Sequence, residues 1–378
     1  MKKTTLFIFL CLLISVSLIA AGNTETAPAE NEASLITITD GLGRELSVPA
    51  NPDYVICSGS GALRLCTYLQ GEEKVIAVDD METRRPKFDA RPYALANPQF
   101  KDLPTFGEFR GHDNPELIVA LDPQPQVILK TYAGMGTDPE ELQSRTGIPV
   151  VVLNYGDLGG YREDFYASLR IMGKVLDKSE RAEEIISFVD TTIKDLNVRS
   201  ETIPEENKKS CFVGGIAHRG PHGIRSTEPA YPPFMFLQAR NPAHDPNKGY
   251  ADLQHSDIAK EQLLDWDPEI IFVDISTMQT DGDGNAIREL TDDPVYRTLK
   301  AVQQKQVYGV LPYNWYTSNH GSTLANAYFI GTILYPEEFS DIDPAQKADE
   351  IYTFLVGKPV FSQLNNSFAD VGFSRIFD

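Results

Sequence analysis

The sequence predicts an α/β protein of two Rossmann-like lobes joined by a single long α-helix, with a ligand cleft between the lobes. Three observations predict it. A helix, Asp-Pro, strand phrase occurs twice, as ELIVALDPQPQVIL at residues 116–129 and as EQLLDWDPEIIFV at residues 261–273. Each half carries apolar runs in the same order, each ending in a polar or glycine-rich turn. Between the halves lies an amphipathic stretch, residues 179–203, closed by Pro204.

The elements follow in chain order. Lys2 and Lys3 precede an apolar run from Leu6 to Ala21 and the small-residue patch Ala20-Ala21-Gly22. Residues 1–22 therefore read as a secretory signal peptide or a retained N-terminal anchor, and residues 23–34 as a flexible tether. The protein is expected to be secreted across the cytoplasmic membrane, in a periplasmic or other extracytoplasmic place, free or tethered at its N-terminus. No cysteine follows the run directly, which speaks against a lipid anchor on a new N-terminal Cys.

Residues 35–178 read as the N-terminal α/β lobe, with strands at Tyr54–Cys57, Val127–Leu129 and Val150–Leu153. Residues 206–378 read as the C-terminal lobe, with strands at Ser210–Val213, Ile270–Val273 and Gln306–Leu311. In both copies of the repeated phrase the Asp-Pro step stops the helix, because proline disfavours the α conformation in the residue before it. The apolar burst that follows reads as a buried strand of a parallel sheet. Each lobe is long enough to bury a core of its own. The interlobe helix, 179–205, is expected to start at a Ser179 cap, with Glu180, Glu183 and Glu184 near its positive end. Ala182, Ile185, Ile186, Val189, Ile193 and Leu196 recur at helical spacing, over a length of roughly 37 Å. One stiff crossover permits only a modest hinge.

A net charge of −20 argues against nucleic acid and anionic membrane surfaces as partners. Cys57, Cys66 and Cys211 have no zinc-site spacing and read as buried free thiols. Neither a Gly-x-Ser-x-Gly elbow nor a His-Glu-x-x-His helix is present, so a hydrolase is not expected. TDGDGNAIREL at 280–290 lacks a full calcium ligand set and reads as a turn.

Several segments together resemble one family. They are ITDGLGRELSVPANPDYVICSGSGALRLCTYL at 37–69, the two helix-Asp-Pro-strand phrases, and LRIMGKVLDKSERAEEII at 169–186. They are similar to the substrate-binding proteins of iron-complex ABC importers, of siderophore, haem and cobalamin type. These are periplasmic binding proteins with a helical interlobe linker. The resemblance covers nearly the whole mature chain. It implies capture of an iron complex, or another anionic metal complex, and its delivery to an ABC importer permease. It implies no covalent chemistry, and a monomer with no cofactor is expected. Importers of this kind present arginines to one acidic residue on each lobe. Glu82 and Glu228, each in a polar segment near a strand-end loop, are the expected permease-docking residues.

The expected ligand residues sit at strand ends. GGIAHRGPHGIRSTEPAYPPF, 214–234, places His218, Arg219, His222 and Arg225 close together in an acidic chain, with Tyr231 beyond. Cationic groups among glycine amides suit an anion. A branch of the family has a similar run, which leaves molybdate or tungstate open as cargo. In the other lobe Ser58, Gly59 and Ser60 enter a helix bearing Arg64, a second anion candidate. Arg110 and His112 precede the first repeated helix, and Tyr132 and Tyr155 end the next two strands. Tyr313, Trp315 and Tyr316 end the last strand and could stack on a flat chelate. His320 just beyond is a further candidate. Arg219 and Arg225 oppose a bare zinc or manganese cation, and no metal ligand set is assigned. The alternatives are a molybdate or tungstate binder of the same fold, or a secreted α/β enzyme acting on an anionic substrate.

Overall fold

Two parallel sheets organise the chain. The computed structural model describes residues 34–84, 86–282 and 284–377. The expected signal or anchor, and the tether up to Ala33, lie outside them. A hairpin of β1 (Leu35–Thr39) and β2 (Glu45–Pro49) leads into β3 (Val55–Ser58), β4 (Val75–Asp79), β5 (Thr105–Glu108), β6 (His112–Asp113), β7 (Val127–Thr131) and β8 (Val150–Leu153). These form one sheet in the order β6-β5-β4-β3-β7-β8, parallel except at β6. The second half supplies β9 (Cys211–Gly214), the short antiparallel pair β10 (Ser226–Thr227) and β11 (Ser256–Asp257), then β12 (Ile270–Asp274) and β13 (Val307–Val310). Strands β13, β12 and β9 form a parallel sheet. All six strands expected from the apolar runs are present.

The two faces of each sheet have different neighbours. In the first sheet Ile56, Ala77, Ile128 and Val150 face an outer cluster with Phe106, Ile118 and Leu142. In the second, Phe212, Ile271, Val273 and Val307 face another with Leu263, Leu290 and Leu299. The alternate residues, Val55, Leu129 and Val151 in one sheet and Val213, Phe272 and Val310 in the other, belong to one continuous core. Burial on both faces explains why these strands read as unbroken apolar runs. Each lobe thus has an outer cluster of its own, and the two share this inner core. From Ser34 onward the chain is one compact unit.

The interlobe helix runs over Ser179–Ser200, and residues 201–203 turn away before Pro204. Ser179 is its first helical residue rather than its cap. That position belongs to Lys178, whose side chain makes no capping bond. The apolar stripe is buried as its spacing requires. The helix packs on Arg162–Val175 of the first lobe and on His320–Leu334 and Pro232–Phe236 of the second. Near its start Arg181 donates to Tyr68 O of the first lobe (3.1 Å) and to Phe354 O of the second.

Behind the strand ends of the first lobe lies a buried ion pair. Lys130 Nζ of β7 is 2.7 Å from Asp113 Oδ2 of β6, and both side chains are fully enclosed. Ser58 Oγ of β3 donates to Asp113 Oδ1 (2.7 Å) and accepts from Lys130 Nζ (3.2 Å). Removing one partner leaves a buried charge unpaired, which costs about 3–5 kcal/mol. Lys130→Met should therefore lower stability by that amount in urea unfolding. Lys130→Met with Asp113→Leu should recover much of the loss. An equally unstable double variant would count against this account.

Candidate functional site

The carboxyl ends of β7, β8, β9 and β13 open toward one another, and a cavity of about 380 Å³ lies among the residues that follow them. Such strand-end crevices are where α/β sheets bind ligands. The first lobe contributes Tyr132 after β7, and Asn154, Gly156, Asp157, Tyr161 and Asp164 after β8. The second contributes His218, Glu228, Tyr250, Gln254, His255, Tyr313, Asn314 and His320. A larger groove of about 860 Å³ runs along the interlobe helix, away from the strand ends, and its Arg199 and Asp341 pair with each other (2.6 Å).

Two cross-lobe ties bound the cavity. On one side, residues 314–318 of the second lobe lie as a strap on the first. Arg64, fully buried, donates to Ser318 O (3.1 Å), Trp315 O (3.0 Å) and Tyr316 O (3.2 Å), and also to Tyr155 Oη. Tyr155 Oη donates in turn to Ser318 O (2.6 Å), and Tyr132 Oη pairs with Thr317 Oγ1 (2.6 Å). Tyr316 Oη donates to Asp79 Oδ2. Burial and the neighbouring Glu82 push the Asp79 carboxyl up to about 7. On the other side, Asp157 Oδ2 accepts from Tyr250 Oη (3.0 Å) and Gln254 Nε2 (3.2 Å). Gly159 and Gly160 make room for the Tyr250 ring: a Cβ on Gly160 would stand 2.3 Å from Tyr250 Cδ1.

The structure sorts the expected ligand residues. Tyr132, His218 and Tyr313 line the cavity, together with His320. Arg64, Tyr155 and Tyr316 hold the strap instead, and Trp315 packs edge-on to Phe368 at 5.8 Å. Tyr231 is buried and accepts from Asn326 Nδ2 (3.2 Å). Ser58 belongs to the buried ion-pair network, and Gly59 and Ser60 form a closed turn in which Thr131 Oγ1 donates to Ser60 O (2.9 Å). That turn presents no anion site, because its helix, Ala62–Tyr68, is buried throughout. Arg110 and His112 are exposed on the first lobe. Arg110 lies over the Phe109 ring, and His112 borders a separate surface groove beside Glu108 and Glu116.

The basic loop is also corrected. Arg219, His222 and Arg225 are exposed and do not line the cavity. Arg225 reaches toward Asp257 at 4.0 Å, and His222 Nε2 meets His218 O at 2.7 Å. His218 is exposed too, but it borders the cavity and stacks on His255, with ring centroids 4.0 Å apart. Burial, then the Arg219 and His222 charges, hold the His218 imidazole below its ordinary range.

Both expected docking glutamates are interior. Glu82 accepts from Arg91 Nη1 (2.9 Å) and Tyr93 Oη (2.5 Å), and is 2% exposed. Glu228 is 4% exposed and lines the cavity. Neither can meet an arginine of another protein while enclosed. Asp157, Asp164, Tyr161, Tyr250, Gln254 and His255 were missed. The pair Gly159-Gly160 beside Asp157 was a usable signal after β8. Tyr250, Gln254 and His255 follow no predicted strand end.

His320 is 1% exposed, stacked on Phe165 at 4.0 Å and tilted against Tyr155 at 5.1 Å. Its Nε2 meets Gly156 O at 3.3 Å, and its Nδ1 has no partner. Burial first, and the Arg64 charge second, lower its pKa from 6.5 to about 3. The unfolded chain therefore takes up this proton near pH 6.5 while the folded chain does not until about 3. The neutral ring's contribution is complete above that window and is lost as pH falls through it. His320→Asn should flatten the loss of urea stability between pH 7 and pH 4 seen in the parent; an unchanged slope would place the acid sensitivity elsewhere. Gly160→Ala should displace Tyr250, at about 1–3 kcal/mol for overpacking. Hydrogen exchange at residues 249–256 should rise while the strap at 314–318 stays protected.

Comparisons with known proteins agree with this geometry. Residues 55–313 match the family described as periplasmic binding protein. The petrobactin-binding protein YclQ of Bacillus subtilis is 22% identical over 324 residues, 85% of this chain and 95% of that protein. The uncharacterised ABC transporter substrate-binding lipoprotein YvrC of the same organism is 21% identical over 218 residues, 56% of this chain and 64% of its own length. Among solved structures, a periplasmic solute-binding protein from Veillonella parvula superposes with a TM-score of 0.67 at 19% identity, covering 91% of this chain and all of that one. The molybdate-bound periplasmic binding protein MolA of Haemophilus influenzae gives 0.63 at 17% identity, over 85% of this chain and 98% of that one. With two parallel sheets facing a shared cavity across one helix, and a family match over most of its length, the chain belongs to the periplasmic binding protein family.

Proposed function

We propose that the chain is the extracytoplasmic solute-binding component of an ABC importer, which captures an iron complex and passes it to a membrane permease. The observation that carries this reading is the cavity itself. It lies between two lobes at their strand ends, holds several aromatic and hydrogen-bonding side chains, and is enclosed by ties from each lobe to the other. The petrobactin-binding relative supports an iron chelate as cargo. The chain acts as a monomer and carries no prosthetic group of its own. The export signal or anchor at residues 1–22 delivers it outside the cytoplasm. Among the described residues no helix is long and apolar enough to cross a membrane.

The molybdate or tungstate reading draws on the likeness to MolA, which is a likeness of fold. An oxyanion in this cavity would face Asp157, Asp164 and Glu228, with no lysine or arginine among the lining residues. The iron-complex reading is therefore the better one.

Protein isolated from its own cells should carry iron and one organic chelator in near-equal amounts, by elemental analysis and mass spectrometry of the released ligand. Deleting the gene should abolish uptake of that complex. Stoichiometric molybdenum or tungsten, or measurable turnover of a bound substrate, would overturn the assignment.

A further inference from the structure

We propose that the cavity binds its cargo through a positively charged nitrogen of the organic ligand, seated on Glu228 and flanked by Asp157 and Asp164. The inference rests on the reading of this cavity as the cargo site, and it names the chemical class of cargo.

Among the described residues three carboxylates line the cavity, and no lysine or arginine does. Arg64, a buried guanidinium of the opposite lobe, is tied to the strap carbonyls. The cationic loop residues Arg219 and Arg225 stand exposed outside. Two buried side chains are incomplete. Glu228 is 4% exposed, and its Oε2 has no hydrogen-bond partner. His320 is 1% exposed, and its Nδ1 has none either. A buried carboxyl oxygen without a partner forfeits its hydration and gains nothing in return, so a donor from the cargo would complete it.

The other charges near Glu228 are negative. Asp157 and the fully buried Asp274 both act on it, and burial with these two neighbours drives its pKa well above the ordinary carboxylate range. An anionic cargo would add to that field, whereas an ammonium or amidinium group would relieve it. Tyr132, Tyr161, Tyr250 and Tyr313 line the same cavity, and aromatic rings favour a cation as well. Among the described residues no group of three or more His, Cys, Asp or Glu side chains could hold a metal ion, which points to a cationic nitrogen rather than a bare metal. A protonated Glu228 donating to an anion is the competing chemistry, and it predicts the opposite ranking of ligands.

One linear trihydroxamate with a terminal amine supplies the probes. Its ferric complex is made with the amine free, acetylated or succinylated, so that the iron sphere stays the same while the terminal group is cationic, neutral or anionic. Each is titrated against the full chain by fluorescence quenching, both iron-loaded and metal-free. The free amine should bind about ten- to a hundredfold more tightly than the acetylated form, the size of one charge-assisted bond to a buried group. The succinylated form should bind weakest. Glu228→Gln should remove the preference while its unfolding midpoint stays at or above the parent's, because the replacement lacks the buried acid. Glu228→Asp should keep a reduced preference, which a purely structural role would not produce. An amine preference seen in the metal-free forms alone would overturn the iron-complex reading and uphold the cationic seat. A preference for the succinylated form, no amine preference in any form, or a ranking unchanged in Glu228→Gln would overturn the cationic seat itself.

Discussion

Arg64 is the interaction on which the arrangement of the two lobes depends. Its guanidinium is fully buried in the first lobe, yet three of its hydrogen bonds go to backbone carbonyls of the second, at Trp315, Tyr316 and Ser318. A guanidinium keeps its charge at any pH a folded protein meets, so its donors must be satisfied or the burial costs several kcal/mol. The strap carbonyls and Tyr155 satisfy its two Nη groups, while Nε has no partner. The same contacts draw Tyr155, Tyr132 and Tyr316 into the tie. The cavity is the space left between this strap and the Tyr250 clasp on Asp157. Any opening large enough to release cargo must exchange these bonds for water on at least one side.

Two buried glutamates show how environment assigns roles to identical side chains. Glu82 sits in a closed network in which Arg91 also binds Asp89 through Nε (2.8 Å) and Nη2 (2.9 Å), and Tyr93 donates to the remaining carboxylate oxygen. Its charge is compensated, so it is structural. Among the described residues the charges that act on Glu228 are those of Asp157 and Asp274, and its Oε2 has no partner. It is held by the fold in a state that a ligand can complete. The basic loop teaches the converse. Arg219 and Arg225 are concentrated in sequence, yet exposed arginines beside water gain little from turning inward, and an exposed Asp257 is the nearest acid to Arg225.

A shared core limits how the lobes can move. The inner faces of both sheets, the interlobe helix and the C-terminal helices Pro344–Val356 and Phe361–Ser367 belong to one cluster. Lys358 of that C-terminal region donates to Ala96 O of the first lobe (2.5 Å). Separating the lobes as rigid bodies would expose apolar area from both sheets. Movement confined to the strap and the clasp would break a few hydrogen bonds and leave the core intact, so loop release is the cheaper route to the cavity.

The sequence by itself determined the fold class, the strands of both sheets and the helix between them. These depend on local regularities: the apolar runs, the Asp-Pro stops and the helical spacing from Ala182 to Leu196. Each is an energy available to a short segment, so each is visible in a short segment. It also marked strand ends as the place for a site, and Tyr132, His218, Tyr313 and His320, named on that ground, line the cavity. Only the tertiary structure decided which polar groups face the cavity and with what charge. Arg64 and Tyr155 were claimed by carbonyls far away in the chain, and Glu82 by Arg91. Glu228 and Asp157 were left facing each other across two lobes. Partnership between distant groups depends on where the packed backbone puts them, and no local pattern records that.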